Sequence, residues 1–279
     1  MTVILILAAV VFAAALASAV VCSFSLKVTE YSVGTGKLKN EIKAVCISDL
    51  HGKKYGKNNT RLISVISELR PDVILLCGDM VSRRASEKDI AGFVSLLGGL
   101  LKLAPVYYSA GNHEVDYMSR QGSTALLRRI SDTGAVVLYD SFAEAETAGG
   151  TLRIGGAAGH YRDSGADTEP DYAMLEEIGS AGVASVVMMH LPENLVTDGN
   201  RSRWSADLFI AGHTHGGIWR IPFAGGVIAP TQGLFPKYDA GRFSVDGRQE
   251  LIISSGLSGY RPLIPRIFNR PEVCVIRLK

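Results

Sequence analysis

Residues 207–222 read DLFIAGHTHGGIWRIP, a strand-like run that ends in His213 and His215 with Gly212, Gly216 and Gly217 around them. Imidazoles one residue apart suit a metal site, and the glycines suit a sharp turn that delivers both, although an ordinary turn carrying histidines has the same text. Four more apolar runs end in comparable groups. Residues 42–48 lead into Asp49-Leu50-His51, 73–77 into Gly78-Asp79, the run APVYYSA into Gly111-Asn112-His113-Glu114, and VASVVMM into His190. Five of the six histidines lie at these ends, and His160 alone does not. In open α/β sheets ligands bind beyond the carboxyl ends of strands, so this is where chemistry is expected. Each piece has an ordinary reading by itself: Asp49 as a helix cap, Gly78-Asp79 as a turn. Asn112, His113 and Glu114 are harder to set aside, because three polar side chains after an apolar strand bury poorly without a ligand. Imidazole, carboxylate and one amide oxygen, without thiolate, suit Mn, Fe or Zn better than Ca.

The elements that must position these residues can be read from periodicity. Leu62, Val65, Ile66 and Leu69 recur at helical spacing between two strand-like runs, and Pro71 closes that helix, giving a β-α-β unit. Ser86 with Asp89 reads as a capping box for a helix running to Leu103. A third strand runs into a loop at residues 111–114, and a helix follows near residues 124–130. Residues 135–139, 142–147 and 151–157 read as short antiparallel strands, and Asp246-Gly247 as a hairpin turn before the last strands. Residues 41–279 thus read as one mixed α/β domain.

The ordered set D-x-H, G-D, G-N-H-E, H and G-H-x-H resembles the calcineurin-like metallophosphoesterase superfamily over residues 43–279. The C-terminal text from GLFPKYDAGRF to RPEVCVIRL further resembles the membrane-associated bacterial branch that includes phosphodiesterases of the YaeI and YkuE type and some UDP-2,3-diacylglucosamine pyrophosphatases. The resemblance implies a four-layer αββα sandwich and two divalent metal ions. It implies Asp49, His51, Asp79 and His215 as ligands of one ion, and Asp79, Asn112, His190 and His213 as ligands of the other, with Asp79 bridging. One departure is Ile218, where that branch commonly has Gln. Two such ions can share a hydroxide, lower its pKa and stabilise in-line displacement at phosphorus. His113, beside a ligand, is then free to stabilise phosphoryl charge or protonate the leaving group. Lys53 and Lys54, with Lys57, and separately His160, Tyr161 and Arg162, are candidates for the substrate side, solvated loops being the ordinary alternative. The expected reaction is hydrolysis of a phosphodiester or pyrophosphate in a phosphorylated small-molecule or lipid-linked substrate. A catalytically inactive scaffold on the same fold is the competing reading.

Residues 1–26 contain no charged side chain and are long enough to cross a bilayer, so the domain boundaries expected are an anchor at 1–26, a tether at 27–40 and a catalytic domain at 41–279. A cleaved signal peptide competes, since ALASA offers small residues, but no Lys or Arg precedes the apolar run. Lys27, Lys37, Lys39 and Lys43 follow it, which favours the cytoplasmic side for the domain, an extracytoplasmic one being the alternative. The net charge of +2 carries no nucleic-acid signature, and the four cysteines form no zinc or disulfide framework. The full chain is expected to sediment with membranes and to resist high-salt extraction, while a chain beginning at Lys27 stays soluble. Release of the full chain by salt would reject the anchor.

Overall fold

The computed structural model describes residues 1–160, 173–179, 182–196, 204–245, 247, 249–259 and 264–279. An apolar helix α1 (Thr2–Phe24) precedes strands β1 (Lys27–Val33) and β2 (Ile42–Ile47). Then come α2 (Thr60–Leu69), β3 (Val73–Cys77), α3 (Glu87–Leu100), β4 (Val106–Ser109), α4 (Asn112–Gln121), α5 (Ala125–Ser131) and β5 (Val136–Leu138). The second half holds β6 (Ser141–Thr147), β7 (Gly150–Ala157), α6 (Ala173–Glu177), β8 (Ala184–Met189), α7 (Pro192–Val196) and β9 (Leu208–Ala211). Two small hairpins, β10 (Arg220–Ile221) with β11 (Gly225–Gly226) and β12 (Ile228–Ala229) with β13 (Gly233–Leu234), precede β14 (Gly241–Val245), β15 (Gln249–Ile253) and β16 (Glu272–Leu278).

Alternation along the strands decides how these elements stack. In β2, Ile42, Ala44 and Cys46 face one side while Val45 and Ile47 face the other, as a two-residue period requires. The first side meets the second sheet: Ala44, Cys46, Leu75 and Cys77 pack against Ile154, Val186, Met188 and Ile210. The other side, with Ile74, Leu76 and Tyr108, packs against Leu62 and Ile66 of α2, Phe93 and Leu97 of α3, and Ile130 of α5. On the far face of the second sheet, Val187, Met189, Phe209 and Leu251 meet Leu175 of α6 and Leu195 of α7. The result is four layers, αββα. Each side chain fully buried this way contributes about 1.5–3 kcal/mol, so all three interfaces are substantial.

The first sheet runs β1-β16-β2-β3-β4-β5 and the second β14-β15-β9-β8-β7-β6. Strands β2 to β5 are parallel, as are β15, β9, β8 and β7, so the carboxyl ends of β2, β3, β4, β8 and β9 gather along one shared edge of the sandwich. The capping box of α3 is present, with Asp89 N–H donating to Ser86 Oγ at 3.3 Å and Ser86 N–H to Asp89 Oδ2 at 2.9 Å. The hairpin near 246–247 pairs Val245 with Gln249, Asp246 itself lying outside the described residues.

Three expectations need correction. Residues 135–139 do not join an antiparallel set: β5 pairs parallel with β4, because α5 returns the chain to the same end before it, and only β6 and β7 are antiparallel. Residues 111–114 are not a loop, since Asn112 opens α4. The segment 27–40 is not a free tether, because β1 pairs along its full length with β16, Val33 is buried, and Lys39 N–H donates to Gly149 O at 2.9 Å. Thr29, Tyr31 and Val33 alternate as a half-buried edge strand should, a pattern that the flanking glycines and lysines obscure. A chain beginning at Asn40 should therefore melt roughly 5–10 °C below one beginning at Lys27, by calorimetry. Equal melting temperatures would restore the tether.

Candidate metal centre

At the shared edge the chain turns sharply as each strand ends, and the turns use unusual backbone. Asp49 (φ 53°), His51 (48°), Asp79 (55°), His213 (66°) and His215 (50°) all lie in the left-handed region. For residues with a Cβ this costs on the order of 1–3 kcal/mol each, so the surrounding contacts must over-determine the conformation. They do so by carrying strand pairing past the strand ends. Asp49 N–H donates to Gly78 O at 3.1 Å, His51 N–H to Asp79 O at 2.9 Å, Gly212 N–H to His190 O at 3.0 Å and Ser258 N–H to Asp49 O at 2.8 Å. Two glycines are required by close approach. A Cβ on Gly111 would lie 2.3 Å from Asp79 Oδ1, and one on Gly78 would lie 2.7 Å from both the Gly111 backbone and His190 Nδ1.

The structure places Asp49, His51, Asp79, His113, His190, His213 and His215 in one cluster, with Asn112 next to His113 at the start of α4. Asp49, Asp79, Asn112, His190, His213 and His215 are each at most 4% exposed, whereas His51 and His113 are only partly buried. Those two are therefore the ones that face the open cleft. Asp79 Oδ2 is 3.2 Å from His190 Nε2, 3.6 Å from His51 Nε2 and 3.9 Å from His113 Nε2. Asp49 Oδ1 is 3.8 Å from both His190 Nε2 and His215 Nε2, and 4.0 Å from His51 Nε2. Three overlapping groups capable of holding an ion emerge, Asp49-His51-His215, His51-Asp79-His113 and Asp79-His190-His213, each with its ligand atoms within 4.8 Å of one another.

The polar groups behind these atoms orient them. His190 donates through Nδ1 to Cys77 O at 2.8 Å, which leaves Nε2 aimed at the two aspartates. Asp79 Oδ1 accepts from His113 N–H at 2.9 Å, at the positive end of α4. Asn112 has both side-chain polar atoms buried without a hydrogen-bond partner among the described residues, a costly arrangement that a cation on its Oδ1 would relieve. Burial lowers His51 to about 4 and His213 to about 3, and drives His215 well below its ordinary range, so these imidazoles are neutral. Burial also opposes charge on His190, but Asp79 and Asp49 overcome it and raise the group to about 10. Burial pushes Asp49 up to about 6, with His190 opposing and Asp79 adding to the rise. Burial works against Asp79 too, yet His190 and then His51 and His113 hold it well below the carboxylate range. Two buried carboxylates thus take their compensating charge from protonated His190 in the metal-free protein. The donor set fits divalent cations.

The role of Glu114, and three further residues at the site, escaped the sequence reading. Glu114 accepts from Asp79 N–H at 2.8 Å, Gly111 N–H at 2.9 Å and Val81 N–H at 2.9 Å, binding the ends of β3 and β4 together. Its three-residue spacing from Gly111 is the capping-box spacing, a signal present in the text. Arg83 places its backbone N–H 3.3 Å from His113 Nδ1 and its guanidinium 3.1 Å from His113 Nε2, and pairs with Asp116 at 3.3 Å. Asn269 donates to His215 O at 2.7 Å and Ile218 O at 3.1 Å, clamping the GHTHGG turn from a segment 50 residues downstream in the fold's last connection. Buried Arg266 donates to Ser258 O at 2.8 Å and to Ser255 O. Nothing local in the sequence marks these last three.

The substrate-side candidates divide. Lys53 lines the cleft of about 440 Å³ that also holds His51, His113, Ser82, Arg266 and, from α1, Cys22 and Ser23. Burial lowers Lys53 to about 8, with Arg266 adding to the effect. Lys54 is exposed and lines a separate small cavity with Asp89 and Phe93. His160 is held by Tyr139 Oη at 3.0 Å and is absent from the cleft lining, while Tyr161 and Arg162 lie outside the described residues. Ile218 is buried at φ 51°, so no polar side chain enters from that position.

Stacked mixed sheets that deliver Asp, Asn and His from successive strand ends into one buried cluster define a metallophosphoesterase, a hydrolase. The chain belongs to the calcineurin-like phosphoesterase family, whose pattern matches residues 42–217, more than half of its length. It is 28% identical over 259 residues to the uncharacterized metallophosphoesterase Cj0846 of Campylobacter jejuni, covering 91% of this chain and 63% of that protein. It is 25% identical over 238 residues to phosphodiesterase YaeI of Escherichia coli, covering 85% and 82% respectively. A transmembrane protein with metallophosphoesterase domain from Danio rerio is 24% identical over 268 residues, covering 91% of this chain and 57% of that protein. The chain thus spans less than two thirds of the Campylobacter and Danio relatives.

A cation on His190 Nε2 must displace the proton that the aspartates retain up to about pH 10. Calorimetric titration with Mn²⁺ in buffers of different ionisation enthalpy should therefore show about one proton released near neutral pH. Since the competing proton is lost as pH rises, affinity should increase from about pH 6 to about pH 9. Binding without proton release would show that His190 takes no part.

Proposed function

We propose that this protein hydrolyses a phosphodiester or pyrophosphate bond with two divalent metal ions, of Mn, Fe or Zn, held at the strand-end cluster. Asp49, His51, Asp79 and His215 would hold one ion, and Asp79, Asn112, His190 and His213 the other. The observation that carries this reading is the position of Asp79 Oδ2, 3.6 Å from His51 Nε2 and 3.2 Å from His190 Nε2. Donor atoms sharing one ion at bond lengths near 2.0–2.2 Å stand about 3–3.6 Å apart, so Asp79 would be able to hold an ion together with either imidazole. When bound, such a pair supplies Lewis acidity at phosphorus and a water of lowered pKa.

The remaining work falls to the chain's own groups. His113, partly exposed in the cleft and free of ligand duty, would hydrogen-bond a phosphoryl oxygen or give a proton to the leaving oxygen. Arg83 restricts the imidazole, because a neutral ring has one acceptor nitrogen and two donors of Arg83 lie within 3.3 Å of it. Lys53 adds positive charge to the cleft wall for a phosphate-bearing substrate. Helix α1, 23 residues and about 34 Å long, matches an apolar bilayer core of about 30 Å and supports a membrane anchor. Cys22 and Ser23 in the cleft wall support a substrate at the membrane, a lipid-linked phosphodiester or pyrophosphate.

Replacing Asp79 by Ala removes one ligand and one charge from both ions, so metal analysis of the purified variant should show both lost. His113→Ala removes no ligand in this scheme; it should keep near-stoichiometric metal while turnover falls roughly 10²- to 10⁴-fold. The loss should shrink with p-nitrophenolate as leaving group, which needs little protonation. Metal loss in His113→Ala, or full activity on an alkyl diester, would overturn its role, and a wild type that retains no metal would favour the inactive scaffold.

A further inference from the structure

The last turns of α1 are not a free stalk. Phe268 N–H donates to Ser18 Oγ at 2.6 Å, Arg270 Nε to Ser25 Oγ at 2.9 Å, and the guanidinium groups of Arg61 and Arg270 donate to the carbonyls of Phe24 and Leu26. These contacts fix the height of the domain on the helix. Ser18 stands six residues before Phe24, which at 1.5 Å per residue puts Phe268 about 9 Å nearer the helix's apolar half than the helix end is.

Around Phe268 the domain exposes apolar side chains. Phe268 is 45% exposed, Ile221 46%, Trp219 40%, and Phe223 at the tip of the β10–β11 hairpin is fully exposed. Single exposed apolar residues are ordinary, but Ile221, Phe223 and Phe268 share one groove, whose charged lining is Lys237 and the ion pair of Arg220 with Asp239 at 2.9 Å. The hairpin is bonded to the segment that grips α1: Arg220 N–H donates to Ile267 O at 3.0 Å, and Trp219 Nε1 to Pro265 O at 2.9 Å. Pro265 in turn lines the cleft shared by His51, His113, Cys22 and Ser23. Helix foot, apolar rim and cleft mouth are therefore built from one connected piece.

We infer that the rim of Ile221, Phe223 and Phe268, with Trp219 beside it, is a membrane-contact surface that seats the cleft at the headgroup layer of the leaflet where α1 ends. This rests on the anchor and phosphoesterase readings above. The occupant is the bilayer because the rim adjoins the apolar helix α1 through the bond from Phe268 N–H to Ser18 Oγ. Aromatic side chains suit the membrane interface, and Lys27, Arg61 and Arg270 around the helix foot suit anionic headgroups. The arrangement selects a substrate whose phosphodiester belongs to a lipid of that leaflet, since the cleft meets the phosphate layer without the lipid leaving the membrane.

The full chain in dioleoylphosphatidylcholine vesicles, compared with the same lipid brominated along its acyl chains, tests the contact. The emission that separates wild type from Trp219→Phe should fall at least about twofold in the brominated vesicles. A second arm uses two p-nitrophenyl diesters of like chemistry: soluble bis(p-nitrophenyl) phosphate, and a dioleoylglycerol p-nitrophenyl phosphate embedded in the vesicles. Ile221→Asp with Phe223→Asp should lower turnover of the lipid diester about tenfold and leave the soluble one unchanged. No difference in quenching between wild type and Trp219→Phe overturns the inference, as does an unchanged lipid rate in the double variant. If the double variant loses both activities, quenching of the wild type decides, since it needs no change at the hairpin. If the wild type cleaves neither diester, the hydrolase reading falls while the quenching still decides the membrane contact.

Discussion

Asp49 and Asp79 are buried carboxylates within reach of the same imidazole, and much of the fold can be understood as the means of keeping them there. Two like charges out of water repel each other and lose hydration. The protein answers with a hydrogen bond from His113 N–H to Asp79, bonds from His213 N–H to Asp49, and a protonated His190 between them. That compensation is incomplete in the sense that protons stand where cations fit. The buried side-chain amide of Asn112 has no hydrogen-bond partner among the described residues, and burial keeps the imidazoles of His51, His213 and His215 neutral.

Backbone strain follows from the same demand. Carboxylates and imidazoles from five strands can converge only if the chain turns inward at once, and five of the converging residues adopt left-handed φ to do so. Continued pairing beyond the strand ends, together with Glu114 tying β3 to β4, holds these turns in one geometry. Preorganisation of this kind places the ligand atoms before any substrate arrives, which is the condition for electrostatic catalysis.

The foot of α1 and the segment leading into the last strand meet beside this centre. Strand β1, directly after α1, pairs with β16, the last strand, and the segment leading into β16 supplies Arg266 and Asn269 to the turns around the site. The helix foot is therefore joined to the cleft through short, direct contacts. Contacts to α1 and to the turns around the cleft come from the same residues, 264–270.

How much was legible in the text differs by residue for physical reasons. The cluster residues Asp49, His51, Asp79, Asn112, His113, His190, His213 and His215 could be picked out because each is a chemical group placed where an apolar strand stops, and strand ends are local patterns. The β-α-β start, the Ser86 cap and the apolar span of α1 are local in the same way. The pairing of β5 with β4, the strand in 27–33, the separation of Lys54 from the cleft and the clamp by Asn269 were not legible, because each depends on a partner tens to hundreds of residues away. Alternation says that a strand has two faces, but only packing decides which neighbour it joins. The sequence by itself determined which side chains could do metal chemistry; the tertiary structure decided that they face one another, how their charge is compensated, and that the cleft opens at the foot of α1, because those follow from distances that no local spacing encodes.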